Sequence, residues 1–528
     1  MEALPRSTSG RRSAHVLRPS GSGNWPLAHR TLPGCSLTRR LLDSGKRRVL
    51  RDATVGGLSL RSATNSLRVL FAYAAMVLAA VGVFFLVCLA GQDLVAPPSL
   101  STVTRPTAPP NAGADILSHV LLALVVVVVV ARLVGCVFRF LGQPPVIGEV
   151  LAGILLGPSL LGRMAPELSA SLLPPSVWPF LAIISQIGVI LYMFLVGLEL
   201  DTRLIRARSH TTVAISHASI VAPFLLGAAL ALWLYPLLSP KDVPFTVFAL
   251  FMGVSMSVTA FPVLARILTD RRMQRSRLGA IALACAAVDD VTAWCMLAFV
   301  VGVVHAEPGR ILVTVTLAVA YIGVILAIVR PLAAAFARLH EHGKGLTQGA
   351  LAIVCVGLLL SALTTELIGI HALFGAFLLG AVVPHDSALA RDLINKLEDV
   401  VVVLFLPAFF AFTGMRTQIG LVSSFGDWLV CGVIICAASL GKFGGSAIAA
   451  RLTGLDWRQA ASLGILMNTR GLMELIVLNI GLDLGVLSPT LFAMLVIMAL
   501  VTTMATTPVL HALRSRDEEE LVWESSAA

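Results

Sequence analysis

Long apolar runs, separated by short polar stretches, recur along most of the 528-residue chain. A hydrocarbon core about 30 Å thick is crossed by about 20 apolar residues of α-helix. Because only helices and closed barrels satisfy their backbone hydrogen bonds in lipid, and runs of this length are helical, the pattern predicts an all-α polytopic membrane protein. The run 370–384 is short enough for a re-entrant segment. The fourteen predicted spans are 69–90, 116–138, 146–162, 179–200, 211–236, 245–268, 278–304, 311–330, 348–367, 370–384, 398–415, 427–450, 460–482 and 489–512.

The segments outside and between these runs divide the chain into four parts. Residues 1–67, rich in Arg, Ser and Gly, are predicted to be a disordered basic tail. Residues 68–114 contain the first span and a Pro-rich linker, 115–512 the other thirteen spans, and 513–528 a short acidic tail. The first span is too long and too far from Met1 for a cleaved signal peptide, so we interpret it as an anchor.

The net charge of +10 lies in the N-terminal tail. Residues 1–68 hold 13 Lys or Arg against three Asp or Glu, so the rest of the chain is neutral overall. Apolar residues make up 57% and charged residues 13% of the chain, a composition that excludes a soluble enzyme. With the tail in the cytoplasm, the inside loops hold 18 basic residues and the outside loops five, which predicts cytoplasmic termini. We therefore expect contact with the lipid bilayer and no binding of nucleic acid.

A few ionisable residues lie inside predicted spans. To place one such side chain at the bilayer centre costs about 2.5–3.5 kcal/mol, even on the scale derived from membrane-insertion experiments. Asp289 and Asp290 lie near the middle of 278–304 and Lys442 lies within 427–450. Arg470 and Glu474 are four residues apart in 460–482. These charges form either structural ion pairs between helices or an ion site. Since one lysine cannot neutralise two aspartates, the aspartate pair favours an ion site, whereas Arg470 and Glu474 favour structural pairing.

Two of the predicted spans are interrupted at matching places. Residues 255–262 (SMSVTAFP) interrupt the span 245–268, and residues 468–471 (NTRG) interrupt the span 460–482. Each interrupted span is the middle one of three, which indicates two inverted repeats that cross at their breaks. Free carbonyls and helix ends at such a crossing offer oxygen ligands and partial charges to an ion. The side chains expected along the ion path are those of Ser257, Thr259, Asn468 and Thr469.

The chemistry that these residues permit is a competition between two ligands. A carboxylate partly removed from water can hold either a proton or a small hard cation such as Na⁺ or K⁺. If the protein exposes that carboxylate to each side of the membrane in turn, proton and cation move in opposite directions, which is antiport. The chain has no Walker A motif and no Cys or His cluster with metal-ligand spacing, so we expect neither an ATP-driven pump nor a cofactor.

Several motifs resemble the monovalent cation:proton antiporter family, in the branch that holds many bacterial exchangers and the plant and fungal cation/proton exchangers. They occur in family order over 116–512. The matching stretches are 143–159 (QPPVIGEVLAGILLGPS), 187–200 (IGVILYMFLVGLEL), 288–290 (VDD), 368–377 (IGIHALFGAF), 406–414 (LPAFFAFTG) and 467–475 (MNTRGLMEL).

The resemblance implies a sodium/proton antiporter fold of about thirteen helices, to which the span 69–90 is an additional N-terminal helix. It implies a core of two crossed broken helices that moves like an elevator against a dimerisation domain. It also implies that Asp290 binds the transported cation or proton, while Asp289 pairs with Lys442 and releases it during the cycle. Exchange is then expected to be electrogenic.

Other residues in family-like motifs are expected to be structural or to gate access to the site. They are Glu149, Glu366 and His371, together with Arg470 and Glu474.

The sequence thus predicts a homodimeric secondary antiporter, not an enzyme, that exchanges protons for Na⁺ or K⁺ across the plasma membrane. Two alternatives keep the fold: antiport of an organic cation or metabolite, and a sensor that transports nothing. An intramembrane aspartyl protease is disfavoured, because the two aspartates are adjacent on one helix and 424–427 (SFGD) lacks the first glycine of the Gly-x-Gly-Asp setting.

Overall fold

The computed structural model describes residues 74–97, 113–199, 209–271, 273, 276–305, 311–341 and 346–513, and the regular structure within these ranges is entirely helical. The predicted tail 1–67 lies outside the described residues, and so does the predicted tail 513–528 apart from Leu513, the last residue of the final helix. The helices are α1 (Ala74–Ala90), α2 (Gly113–Phe140), α3 (Pro145–Leu156), α4 (Leu161–Met164), α5 (Pro166–Leu172), α6 (Trp178–Glu199), α7 (Ser209–Leu238), α8 (Phe245–Ser257), α9 (Phe261–Asp270), α10 (Arg277–His305), α11 (Ile311–Val324), α12 (Arg330–Glu341), α13 (Gln348–Ile368), α14 (Ala372–Val382), α15 (Ala388–Val400), α16 (Leu406–Arg416), α17 (Phe425–Ser439), α18 (Gly445–Leu452), α19 (Trp457–Met467), α20 (Leu472–Asp483) and α21 (Pro489–Leu513).

All fourteen predicted runs are helical in the described part of the chain. Eleven helical segments there are long and apolar enough to cross a membrane, with α8 and α9 counted in one segment, and the bent pair α19–α20 makes a twelfth. The other two runs form the shorter apolar helices α1 and α14. The all-α membrane fold is therefore confirmed. Some helices extend beyond their apolar runs, because polar turns continue them: the run 311–330 belongs to a helical segment that ends at Glu341.

The helices that follow α1 pack in two groups. The first group, called here the repeat bundle, comprises α7–α10 and α17–α21, the two predicted repeats. The second, called the scaffold, comprises α2–α6 and α11–α16. Contacts are made mainly within each group. In the scaffold, α3 and α16 approach so closely that a Cβ at Gly153 would lie 2.0 Å from the backbone oxygen of Ala411. A glycine is therefore required at that contact.

The second helix of each repeat is broken, as the sequence predicts. In the first repeat, α8 ends at Ser257 and α9 begins at Phe261; in the second, the axes of α19 and α20 differ by 43°. The two breaks meet, since the backbone N–H of Ala260 donates a 3.0 Å hydrogen bond to the carbonyl oxygen of Thr469. Pro262 is tolerated in the first turn of α9, where its missing N–H has no helical partner to lose.

A π-helical turn, Leu440–Gly444, joins α17 to α18 in the helix that faces this crossing. Such turns occur frequently at functional sites, because they redirect the side chains of an otherwise regular helix. Lys442 lies in the middle of this turn, and its side chain is fully buried. The fold therefore brings the lysine of the second repeat to the break in the first.

Candidate ion-binding site

Asp289, on α10, is fully buried, and both of its carboxylate oxygens accept hydrogen bonds. Ser216 donates to Oδ1 at 2.5 Å. Oδ2 accepts from Ser219 at 2.6 Å and from Thr259 at 2.7 Å, and it lies 3.2 Å from Nζ of Lys442. Three hydroxyl groups and one ammonium group thus satisfy this carboxylate.

Asp290, the next residue, is in the opposite situation. Its side chain is 2% exposed, and neither carboxylate oxygen accepts a hydrogen bond of normal geometry from the described residues. The backbone N–H of Phe261, the first residue of α9, lies near this carboxylate. Buried polar groups are nearly always paired. Asp290 is therefore the carboxylate with free capacity for a proton or a cation.

Lys442 joins the carboxylate of one helix to the broken end of another. Its ammonium group donates to the backbone oxygen of Ser257, the last residue of α8, and forms the ion pair with Asp289. The last carbonyls of a helix carry partial negative charge and have no partner within the helix. The lysine thus stabilises both the end of α8 and the anion on α10.

Arg470 and Glu474 form a second charged pair at the crossing. The guanidinium of Arg470 donates to the carbonyl oxygens of Ser255 at 3.1 Å and Met256 at 2.9 Å, and to Glu474 Oε1 at 3.1 Å. Glu474 lies in the first turn of α20, where the partial positive charge of the helix favours an anion. With Lys442 at Ser257, cations from the second repeat bind the last three carbonyls of α8.

The side chains predicted along the ion path differ in what they contact. The Ser257 hydroxyl donates to backbone oxygens on α7 and α8, and the Thr469 hydroxyl donates to the backbone oxygen of Leu466. Thr259 contacts Asp289 directly. Oδ1 of Asn468 is buried without a hydrogen-bond partner among the described residues. Of these four side chains, only Asn468 presents an unsatisfied acceptor at the crossing.

Glu149, Glu366 and His371 lie in the scaffold, outside the hydrogen bonds around Asp289. Glu149 is buried where α3 packs on α2. Oε2 of Glu366 accepts a 2.8 Å hydrogen bond from the backbone N–H of Ala372. His371 precedes α14 with a left-handed backbone, φ 72°. Glu366 and His371 line a cavity of about 610 Å³ between the scaffold and α20.

The structure reveals a set of polar contacts across this cavity. Arg416, at the end of α16, forms an ion pair with Asp483 at 2.6 Å and a 3.0 Å hydrogen bond with Asn479, both on α20. Asn479 in turn donates to the Thr413 hydroxyl at 2.7 Å. These contacts join the scaffold to the repeat bundle, and no motif in the sequence indicates them.

Sequence reasoning also missed Ser216 and Ser219, which complete the surroundings of Asp289. A signal for them exists, since two hydroxyl side chains three residues apart lie on one face of the predicted span 211–236. Their partner could not be found in the same way, because Asp289 lies 73 and 70 residues further along the chain.

Comparisons with known proteins give consistent matches over the same part of the chain. The family described as sodium/hydrogen exchanger, transmembrane, matches residues 120–513. The Na(+)/H(+) antiporter NhaS4 of Synechocystis is 44% identical over 391 residues, which are 74% of this chain and 95% of that protein. The K(+)/H(+) antiporter 1 of Saccharomyces cerevisiae is 34% identical over 395 residues, 72% of this chain and 45% of that protein.

A plant protein and a solved structure extend these matches. The Cation/H(+) antiporter 19 of Arabidopsis thaliana is 39% identical over 396 residues, 74% of this chain and 49% of that protein. The chain thus spans about half the length of the plant and yeast relatives. The structure of the sodium proton antiporter MjNhaP1 from Methanocaldococcus jannaschii superimposes with a TM-score of 0.57 at 16% identity, over 75% of this chain and 99% of that one. At this identity the likeness concerns the fold.

Proposed function

The chain belongs to the sodium/hydrogen exchanger family, and we propose that it is a secondary antiporter that exchanges protons for Na⁺ or K⁺. The observation that carries the proposal is the contrast between two adjacent buried carboxylates. Asp289 has four hydrogen-bond donors, whereas Asp290 accepts no hydrogen bond of normal geometry from the described residues. A proton or a cation on Asp290 supplies the missing partner, and the two compete for it.

Coupling follows from this competition. Asp290 releases its proton when the cation binds, and it binds a proton again after the cation leaves on the other side. The Asp289–Lys442 pair is neutral as a unit while its ion pair persists. If the incoming cation draws Asp289 into its ligand shell, Lys442 loses its anion and releases its own proton. Two protons then move against one cation, and transport is electrogenic.

Alternating access is proposed to occur by an elevator movement of the repeat bundle against the scaffold. Support comes from the packing in two groups and from the polar contacts of Arg416 and Thr413 across their boundary. We further propose that the scaffold forms the contact between two copies of the chain in a homodimer. The protein is proposed to work in the plasma membrane with both termini in the cytoplasm, as the basic residues of the loops predict.

Proteoliposomes loaded with a pH-sensitive dye and a voltage-sensitive dye test the function. Addition of Na⁺, K⁺, Li⁺ or Rb⁺ one at a time should produce a pH jump with at least one cation in wild type and none in Asp290→Asn. Asp427→Asn is the matched control, since that carboxylate lies in the exposed first turn of α17. Wild-type flux in Asp290→Asn would refute the proposal.

The same assay separates the alternatives. A response to organic cations alone would identify antiport of an organic cation, and no response to any cation by correctly inserted protein would favour a sensor.

A further inference from the structure

The first helix, α1, is not accounted for by the antiport function, yet it has a clearly defined packing face. Its partly or fully buried positions follow one another at intervals of three or four residues, and they continue into the turn after the helix. Between them lie exposed apolar residues such as Leu78 (71% exposed) and Leu86 (65% exposed). One face of α1 therefore packs on the protein and the others are suited to lipid. The packed positions are Met76, Ala80, Phe84, Val87, Cys88 and Gly91.

This face packs on the repeat bundle. The ring of Phe84 lies 5.5 Å from that of Phe224 on α7. The side chain of Cys88 lies near that of Thr246 in the first turn of α8. At Gly91 the approach is closest, because a Cβ there would lie 2.1 Å from the ring of Phe245. All three contacts are made with the first two helices of the first repeat.

The contact at Gly91 holds the N-terminal end of α8, the first half of the broken helix, against α1. The Phe245 ring, which Gly91 covers, also packs edge-to-face on Tyr235 of α7, with ring centroids 5.3 Å apart. At its other end, α8 finishes at Ser257, whose carbonyl binds Lys442. The helix that carries the breaking point of the first repeat is thus held to α1 and α7 at the end remote from the ion site.

The segment that connects α1 to the scaffold is long enough for α1 to move separately from the scaffold. Between α1 and the first residue of α2, Gly113, lie 22 residues. Fully extended, 22 residues span about 70 Å, at about 3.3 Å per residue. This reach exceeds the thickness of a bilayer, so the linker leaves α1 free to accompany either group.

We propose that α1 is a fixed part of the repeat bundle and moves with α7 and α8 as one body relative to the scaffold. This inference rests on the proposed elevator movement. It assigns the additional helix to the moving part of the transporter, where α1 extends the surface that faces lipid and stabilises the start of α8.

Disulfide cross-linking in proteoliposomes tests the inference. Thr246→Cys beside the native Cys88 links α1 to the bundle, in full-length protein whose other seven cysteines are replaced. A second protein carries Thr413→Cys and Asn479→Cys instead and has all eight native cysteines replaced; its disulfide links the scaffold to the bundle where those side chains are hydrogen-bonded. Cation-induced proton flux is compared for each protein when oxidised and when reduced.

The expected result is that the oxidised Cys88–Thr246→Cys protein keeps at least half of its reduced flux. In the oxidised control protein, which carries Thr413→Cys and Asn479→Cys, the proton flux should fall at least tenfold, and a reductant should restore this flux. If both disulfides block transport, the bundle slides past α1 and the inference is wrong, while the elevator proposal stands. If neither blocks transport, the elevator proposal fails and the inference with it. Failure of the Cys88 disulfide to form would show that the contact itself is absent.

A pair of glycines in α1 and the turn after it gives an independent measurement. Gly91→Leu places a side chain against the Phe245 ring, whereas Gly82 has open space around it, so that Gly82→Leu is a matched control. After heating, the flux that remains in Gly91→Leu should be at least threefold lower than that in Gly82→Leu. Equal inactivation of the two variants by heat would mean that the contact of α1 does not stabilise the repeat bundle.

Discussion

Replacement of Asp290 or of Asp289 by asparagine should have different effects on the stability of the folded protein, although the two residues are neighbours. Asp290→Asn removes a buried charge and no hydrogen bond of normal geometry from the described residues. Because a buried carboxylate without a partner is unfavourable, its removal does not destabilise the fold. We expect the free energy of unfolding to stay within about 1 kcal/mol of wild type or to rise.

Asp289→Asn removes the anion that pairs with the fully buried Lys442. Breaking a buried ion pair on one side costs about 3–5 kcal/mol, since the other charge stays buried without its partner. The backbone oxygen of Ser257 still accepts from the lysine, and the hydroxyl groups can rotate toward the new amide. The expected loss is therefore at the lower end, about 3 kcal/mol.

Cation binding provides the second half of this prediction. A ligand at 100 times its Kd stabilises the folded state by about 2.7 kcal/mol. Wild type should gain this stabilisation from its transported cation, and Asp290→Asn should gain none. Unfolding of purified protein in detergent, followed by tryptophan fluorescence in Na⁺, K⁺ or choline, measures both effects. Destabilisation of Asp290→Asn by about 3 kcal/mol, or retained stabilisation by the cation, would refute the assignment of Asp290 as the open site.

Two further predictions concern charged pairs, one at the ion site and one between the scaffold and the repeat bundle. Lys442→Ala should slow exchange or abolish the transport current, because Asp289 loses its cation; an unchanged current with an unchanged pH dependence in proteoliposomes would contradict the proposed pairing. The Arg416–Asp483 pair is partly exposed (18% and 48%), so it contributes about 1 kcal/mol at most. Arg416→Ala should therefore change the flux by no more than about fivefold, with no further change in the double variant with Asp483→Ala, and a loss above tenfold would show a larger role.

The spans could be predicted from the sequence because hydropathy is a local property. About 20 apolar residues are needed to cross the hydrocarbon core, whatever they pack against. The same argument singled out Asp289, Asp290 and Lys442, since a charge inside such a run is expensive and requires a reason. The break in the middle span of each repeat could be predicted for a similar reason, because Pro262 and Gly471 interrupt otherwise regular helices.

The partners of these residues could not be predicted in this way. Serine and threonine side chains are common in membrane helices. The spacing of Ser216 and Ser219 places them on one helix face, but nothing local shows that they bind Asp289, whereas the Ser257 hydroxyl binds backbone. Arg416 follows an apolar run and reads as an ordinary loop residue, although it pairs with Asp483. Each of these assignments depends on which helix lies opposite.

The sequence by itself determined that the chain crosses a membrane, which spans are broken and which few charges lie within them. The family resemblance implied that Lys442 pairs with Asp289 and that Asp290 binds the ion. Only the tertiary structure showed that three hydroxyl groups also bind Asp289, that Asp290 accepts no hydrogen bond of normal geometry from the described residues, and that Arg470 binds the end of α8. It also decided that α1 packs on the repeat bundle. The physical reason is distance along the chain: the Lys442–Asp289 and Arg470–Ser255 contacts join residues 153 and 215 positions apart. The neighbouring residues in the sequence show that a charge lies inside an apolar span. The group that pairs with this charge lies in a remote segment, so that only the folded structure identifies it.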